Sequence, residues 1–257
     1  MNRNIYLLVL LALLCSCGVQ YKTVPYFTDL PSSDVISDIE NQGVLKIQKN
    51  DILAITVSSL DKESDDYFNR ANIGVAQFNT NSGSNVTPNG YIVNNEGNIQ
   101  LPYLGNVQVE GMTTSAARKL IETKLNEGGH LKEAVINLRL VNFKISVLGD
   151  VSRPGMFPVQ SERITIMEAL AMAGDLTITA KRNDVLLVRE IEGKRQQIRL
   201  DMQKADLFSS PYYYLQNNDV LYVTPGPAKY ASVDASYRNV SIILSALSVI
   251  GILISRF

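Results

Sequence analysis

Three hydrophobic rhythms follow one another along the chain. Residues 5–14, "IYLLVLLALL", are almost continuously apolar; residues 44–225 alternate; residues 240–254, "VSIILSALSVIGILI", are apolar again and carry no charge. In the middle stretch, "VLKIQKNDILAITVSS" puts Leu45, Ile47, Ile52, Ile55 and Val57 on a strand period, with Ala54 weakly. Lys49-Asn50-Asp51 falls between them, which predicts a β-hairpin. "YIVNNEGNIQLPYLGNVQV" predicts strand, turn and strand, turning at Glu96-Gly97. "GMTTSAARKLIETKLNEGG" changes to the helical period. Ala117, Leu120, Ile121 and Leu125 share one face, Thr113 is placed to cap, and Gly128-Gly129 to stop the helix. "AVINLRLVNF" alternates as a strand again.

A second series begins at Lys144. "KISVLGDVSRPGMFPV" predicts two strands around a type II turn at Arg153-Pro154-Gly155-Met156, with Gly155 supplying positive φ. "ITIMEALAMAGDL" predicts a helix. Thr165 and Glu168 have capping-box spacing, Gly174 is the stop, and Ile166, Leu170 and Ala173 face inward. "DVLLVREIEGKRQQIRLDM" predicts a hairpin about Glu192-Gly193, and "YYYLQNNDVLYVTP" a closing strand or pair. Two polar stretches lack rhythm. Residues 19–42, with Pro25 and Pro31, read as an extended tether, and residues 60–89 as a long exposed loop. The pattern predicts an α+β chain. Its parts are a signal segment (1–16), a tether (17–43), two α+β units (44–143 and 144–226) and a terminal helix (237–257).

The apolar ends carry the first chemistry. Arg3 ahead of Ile5–Leu14 makes a secretion signal, too short for a comfortable span. Leu14-Cys15-Ser16-Cys17 has the form of a lipobox, with cleavage before Cys17 and lipid on its sulfur; a plain secretory signal is the other reading. Cleavage there leaves one cysteine, which has no partner within the chain. One acyl chain anchors weakly, so a second membrane element is expected. The terminal segment supplies one. Between Arg238 and Arg256 it holds no charge, and residues 237–257 as a helix would extend about 30 Å. Ser241, Ser245, Ser248 and Ser255 fall within one stripe of roughly 80°. Small hydroxyl-bearing residues suit a helix packed on its own copies or lining a wet pore. A simple anchor and a buried helix stay open as alternatives.

Composition narrows the function. Lys and Arg number 24 and Asp and Glu 25. Removing residues 1–16 deletes Arg3 alone and leaves 23 against 25, or −2, with no basic excess for nucleic acid. There is no Trp and only one His. His130 reads as a helix-end or surface residue. Asp61, Glu63, Asp65 and Asp66 lack the glycine and distal glutamate of an EF-hand loop and read as solvated. Tyr212, Tyr213 and Tyr214 read as packing residues before sugar-stacking ones, and Asn85-Val86-Thr87 is a weak glycosylation sequon. Arg153-Pro154-Gly155 is a turn before it is a binding tip. No phosphate-cradling loop and no nucleophile–base pair is visible, so no catalytic residue, cofactor or metal is assigned.

Several of these stretches carry a family resemblance. "LKIQKNDILAITV" resembles the opening strand pair, GD-x-L-x-I-x-V, of the Wza-type outer-membrane polysaccharide export lipoproteins, with Lys49-Asn50-Asp51 at the Gly-Asp position. Gly97, Ile99, Leu101, Pro102, Leu104, Gly105, Val107, Val109, Gly111 and Thr113 match that family's next motif. "VLGDVSRPGMFPV" with "TIMEALAMAGDL" resembles an SLBB domain, a β-grasp ligand-binding module, with Asp175 in place of its second glycine. The resemblance covers residues 17–225. It implies a polysaccharide export domain over 44–143, an SLBB β-grasp domain over 144–226 and a C-terminal membrane helix. It also implies a homo-oligomeric ring of eight copies exporting capsular or exopolysaccharide, with no covalent chemistry. Its implied partners are the polysaccharide chain, outer-membrane lipid and an inner-membrane chain-length determinant/tyrosine autokinase. Gly18 after Cys17 agrees with outer-membrane sorting and a mostly periplasmic body. One SLBB unit is visible, where other members have more, and the terminal helix is short and uniformly apolar. A monomeric, lipid-anchored ligand-binding protein is the alternative; a hydrolase lacks the residues for its chemistry.

Cys17→Ser is expected to abolish incorporation of radiolabelled fatty acid. Labelling at the wild-type level in that variant would exclude the lipobox.

Overall fold

The structure is a computed structural model of the 257-residue chain. It describes residues 25–31, 33–34, 36, 43–60, 65–66, 69, 90–128, 131, 134–191, 193–233 and 242–251. Two hydrophobic cores divide them. One gathers Ile47 to Leu138, the other Phe143 to Val223 together with Leu45.

In the first unit, β1 (Ile52–Ser58) lies between β2 (Tyr91–Ile92) and β5 (Val135–Leu140), antiparallel to both. Alternation along β1 turns Leu53, Ile55 and Val57 inward. β3 (Asn98–Leu101) and β4 (Gly105–Gln108) form a separate hairpin in which Ile99 faces Val107. Helix α1 (Thr114–Glu127) closes the unit through Ala117, Ile121 and Leu125, while Leu120 is only half-buried. Thr113 caps it as expected, its Oγ1 accepting from Ala116 N at 3.0 Å.

One expectation fails in this unit. Residues 44–47 form no hairpin with β1, because both edges of β1 are already occupied. Ile47 instead exchanges hydrogen bonds with the segment before α1, Ile47 N to Met112 O (2.9 Å) and Gly111 N to Ile47 O (2.8 Å). Gly128 ends α1 as expected; it stays right-handed (φ −71°) and closes the last turn with Gly128 N to Lys124 O.

The second unit is a mixed five-stranded sheet in the order β7-β6-β10-β8-β9. Its strands are β6 (Lys144–Gly149), β7 (Gly155–Pro158), β8 (Ala180–Ile191), β9 (Lys194–Leu200) and β10 (Val220–Pro225). β10, the last strand in sequence, enters the middle, parallel to β6 and antiparallel to β8. Helix α2 (Ile166–Met172) covers one face with Ile166, Ala169 and Leu170. The predicted capping box at Thr165 and Glu168 is formed on both sides. Gly174 (φ +75°) ends the helix in a Schellman motif, Asp175 N to Leu170 O and Gly174 N to Ala171 O.

Here too a turn differs from its prediction. Gly155 is not left-handed and opens β7; the left-handed residue is Gly149, at φ +92°. The connection between them is held from outside. Ser152 N bonds Asp175 O, and Arg153 N bonds Ala173 O. The end of α2 therefore shapes it, and no four-residue turn forms. Tyr212–Tyr214 do not lie in a strand but lead into β10 as a half-buried turn.

After β10 come α3 (Pro227–Val233) and a helix over 242–251. The rest of the 237–257 segment expected to form a membrane helix lies outside the described residues. Among the described residues no helix is long and apolar enough to cross a membrane.

Gly149→Ala is expected to destabilise strongly. Its Cβ would stand 2.1 Å from Val223 O, and φ +92° adds strain of about 1–3 kcal/mol. Gly193→Ala (φ +73°, open space around it) should cost about 1–2 kcal/mol. Urea midpoints measure both, and equal shifts would refute the clash.

Candidate functional site

The units are joined by two copies of one turn. Gln48-Lys49-Asn50-Asp51 precedes β1, and Gln216-Asn217-Asn218-Asp219 precedes β10. In each, the third residue is left-handed, with φ 66° at Asn50 and at Asn218. In each, the aspartate accepts the glutamine's N–H, at 2.8 Å for Gln48 N to Asp51 Oδ2 and 2.7 Å for Gln216 N to Asp219 Oδ2. The turns then meet. Asn217 Nδ2 donates to Asp51 Oδ1 at 2.7 Å, and its Oδ1 accepts from Lys144 N at 3.1 Å. Asn142 works in the same way from the linker, accepting from Ile52 N (2.9 Å) and donating to Asn50 O (3.0 Å). Asp51 is 1 % exposed. Burial pushes its carboxyl above the usual range, more than the bonds from Gln48 and Asn217 pull it down.

Asp219 serves a second buried contact. Arg189, on β8, holds it through Nε (2.9 Å) and a terminal guanidinium nitrogen (2.6 Å) and donates to Tyr214 O (2.9 Å). Removing either member would strand a buried charge, which costs about 3–5 kcal/mol.

The tether is tied to the second unit as well. Tyr26 OH donates to Asp175, and the Arg182 guanidinium lies 5.5 Å from the Tyr26 ring centre. Thr28 N bonds Gln203 O at 2.7 Å, and Asp29 accepts from Ala205 N at 2.8 Å. Phe27 stacks on Phe208 with ring centres 4.6 Å apart, Phe208 meets Tyr213 at 5.5 Å, and Tyr213 meets Tyr214 at 5.3 Å. The tyrosine run thus belongs to an aromatic row that packs the tether down.

At the far end of β6, Asp150 gathers three segments. Its carboxylate accepts from Thr179 Oγ1 (2.6 Å) and Lys229 Nζ (2.8 Å), and its carbonyl from Thr177 N (3.1 Å). Burial pushes this carboxyl up, but the bonds from Lys229, Thr179 and Thr177 and the Lys229 charge outweigh it and hold the group below the usual range. On the face of the sheet away from α2, Leu148, Tyr222 and Met156 are exposed beside the Asp184–Arg199 ion pair.

The sequence-selected residues fare differently. Ser245 and Ser248 lie in the helix over 242–251, and Ser248 Oγ bonds Ser245 O at 2.7 Å, within its own helix. Cys17, Ser241, Ser255, His130, Asp61, Glu63 and Asn85 to Thr87 lie outside the described residues. Asp65 accepts from Ser59 N (2.9 Å) and Ser59 Oγ (2.7 Å), a local bond. Among the described residues no group of three or more His, Cys, Asp and Glu could hold a metal. Arg153 donates to Met172 O and serves the α2 end. The joint was missed, though its signal was in the sequence: "QKNDIL" and "QNNDVL" repeat one another.

Residues 40–141 match the family model described as polysaccharide biosynthesis/export protein, and residues 143–223 match that of the SLBB domain. The EPS I polysaccharide export outer membrane protein EpsA of Ralstonia solanacearum is 31% identical over 117 residues, which are 44% of this chain and 30% of that protein. The protein of that name from Ralstonia nicotianae (strain ATCC BAA-1114 / GMI1000) is 29% identical over 104 residues, 39% of this chain and 27% of that protein. The matched part of the chain spans less than a third of either curated relative's length.

The buried Asp51 sets a pH dependence. Its folded pKa lies above its unfolded value near 4. Its contribution to stability is therefore greatest below the unfolded value and is lost as pH rises through the folded one. Asp51→Asn removes this titration. The stability of wild type relative to Asp51→Asn should fall as pH rises from about 4 towards neutrality. Urea unfolding of both proteins, followed by tyrosine fluorescence at stepped pH, measures this. A difference that is constant with pH would refute the assignment.

Proposed function

The chain belongs to the polysaccharide biosynthesis/export family and carries an SLBB domain, and from that premise we propose that its copies form an outer-membrane conduit for capsular or exopolysaccharide. The family is one of export proteins, and no covalent step is assigned. The structural observation that carries the reading is where the described segments nearest the two ends attach. The tether that follows Cys17 is tied to the SLBB unit at Tyr26, Thr28 and Asp29. The segment leading to the C-terminal apolar run leaves the same unit through α3. Lipid on Cys17 and insertion of residues 240–254 then hold the SLBB unit next to the outer membrane. The export unit hangs beyond it, towards an inner-membrane partner of the chain-length-determinant, tyrosine-autokinase type.

Assembly has physical support. Exposed Leu148, Tyr222 and Met156 share one sheet face that a monomer leaves in water. In the ten described residues of the terminal helix, the apolar side chains are half exposed or more. Burying both surfaces between copies would create an enclosed lumen. A sugar polymer moves through such a lumen only if it is hydrated and binds weakly, so the absence of a tight site from the proposal is part of the mechanism. Direction would come from synthesis and from the inner-membrane partner.

The test is the mass and shape of the detergent-extracted, full-length protein, by light scattering and electron-microscope class averages. A closed ring with a central cavity is expected. A monodisperse monomer in several detergents would overturn the conduit and leave a lipid-anchored ligand-binding protein.

A further inference from the structure

The Asp150 knot has an outer side. Thr177 and Thr179 hydroxyls bond each other at 2.9 Å, and Thr179 also bonds Asp150. Both threonines are therefore turned inward. Ile178, between them, is turned out and is 74% exposed. On α3, Lys229 reaches in to Asp150, while Tyr230 beside it is 62% exposed. Gly226 N bonds Thr179 O at 2.8 Å, which locks the start of α3 against the same turn. Exposed Lys181 passes Gly226. A rigid base thus holds an aliphatic and a phenolic side chain out in solvent, with a cation at their rim.

Chain length says what covers them. Tyr26 is bonded to Asp175, two residues before Thr177, and lies nine residues after Cys17. Val233, the end of α3, lies seven residues before Val240, the first of the apolar run. At about 3.3–3.6 Å per extended residue, these segments reach no more than about 32 Å and about 25 Å. Both ends therefore draw the same edge of the SLBB unit to the bilayer. Tyrosine, with an apolar body and a polar tip, suits the headgroup level, and lysine beside it suits an anionic lipid surface.

We propose that the edge formed by residues 177–179 and α3 is a lipid-contact surface, with Ile178 and Tyr230 entering the headgroup region of the bilayer that holds both chain ends. The proposal rests on the lipid-anchored, membrane-inserted reading of those ends given above. Two attachments alone would let the body swing. A third, rigid contact fixes its tilt, and with it the axis along which copies can associate.

The test uses the full chain in vesicles of phosphatidylethanolamine and phosphatidylglycerol. Ile178→Cys, Tyr230→Cys, Leu247→Cys and Val135→Cys each receive a polarity-sensitive fluorophore, and the wild-type chain, whose Cys17 sulfur carries lipid, sets the labelling background. Val135, 68% exposed on β5 of the export unit, is the solvent control. At 178 and 230 we expect blue-shifted emission, quenched several-fold more by shallow nitroxide-labelled lipid than by aqueous iodide; at 135 the order should reverse. Iodide quenching at 178 and 230 equal to that at 135 would overturn the proposal. So would blue-shifted emission untouched by nitroxide lipid, which would mean protein cover such as a second copy. Position 247 separates the two ideas. Lipid quenching there without any at 178 and 230 removes the contact surface and keeps the inserted helix, whereas none at any of the three removes both.

Discussion

The structure depends on one buried hydrogen bond, from Asn217 Nδ2 to Asp51 Oδ1 (2.7 Å). It joins two units with distinct cores, which also touch through Leu45, Leu140 and the Thr114–Glu162 bond. Each partner comes from a copy of the same four-residue turn, and each turn launches a strand, β1 in the middle of the first sheet and β10 in the middle of the second. A carboxylate buried without a cation bonded to it is costly, and it is tolerable because Gln48 N and Asn217 both donate to it. The joint is therefore directional. The amide of Asn217 is used on both sides, since its oxygen also holds Lys144 N. A rotation of one unit against the other would break several bonds among buried groups together.

That joint bears on the proposed export role. The last strand enters the middle of its sheet, so the segment towards the C-terminus leaves beside Asp150, and the tether is tied at Asp175, two residues before the Thr177 that bonds Asp150. The described segments that lead to the two ends, around Tyr26 and in α3, are thus held on one unit, while the export unit is carried by the joint at the other. In the proposed conduit this arrangement separates labour: the SLBB unit meets the membrane, and the export unit extends away from it. No step requires a nucleophile or a metal. What it requires is stiffness, and the structure supplies that at three places, the Asp51 joint, the Arg189–Asp219 pair and the Asp150 knot.

Much of the fold was legible in advance. The capping box at Thr165, the Thr113 cap, the stop at Gly174 and the hairpin at Gly193 are local devices whose residues lie within one turn of each other, and all formed. The failures were non-local. Residues 44–47 alternate like a hairpin arm, but β1 had both neighbours taken. Arg153-Pro154-Gly155 has the composition of a type II turn, but backbone bonds from Ala173 and Asp175 dictated another path. The joint lay between these cases: its two turns repeat in the sequence, yet nothing in the repeat says that they touch.

By itself, then, the sequence determined the type and order of the elements, the two apolar ends and the resemblance to export proteins, because period, caps and motifs are read over short spans of chain. Only the tertiary structure decided which strands neighbour which, that Asp51 meets Asn217 across 166 residues, that the tether lies on the second unit, and that Ile178 faces outward above the Asp150 knot. Those outcomes follow from competition for strand edges and from the need of buried polar groups to find partners. Both are settled by the whole chain at once.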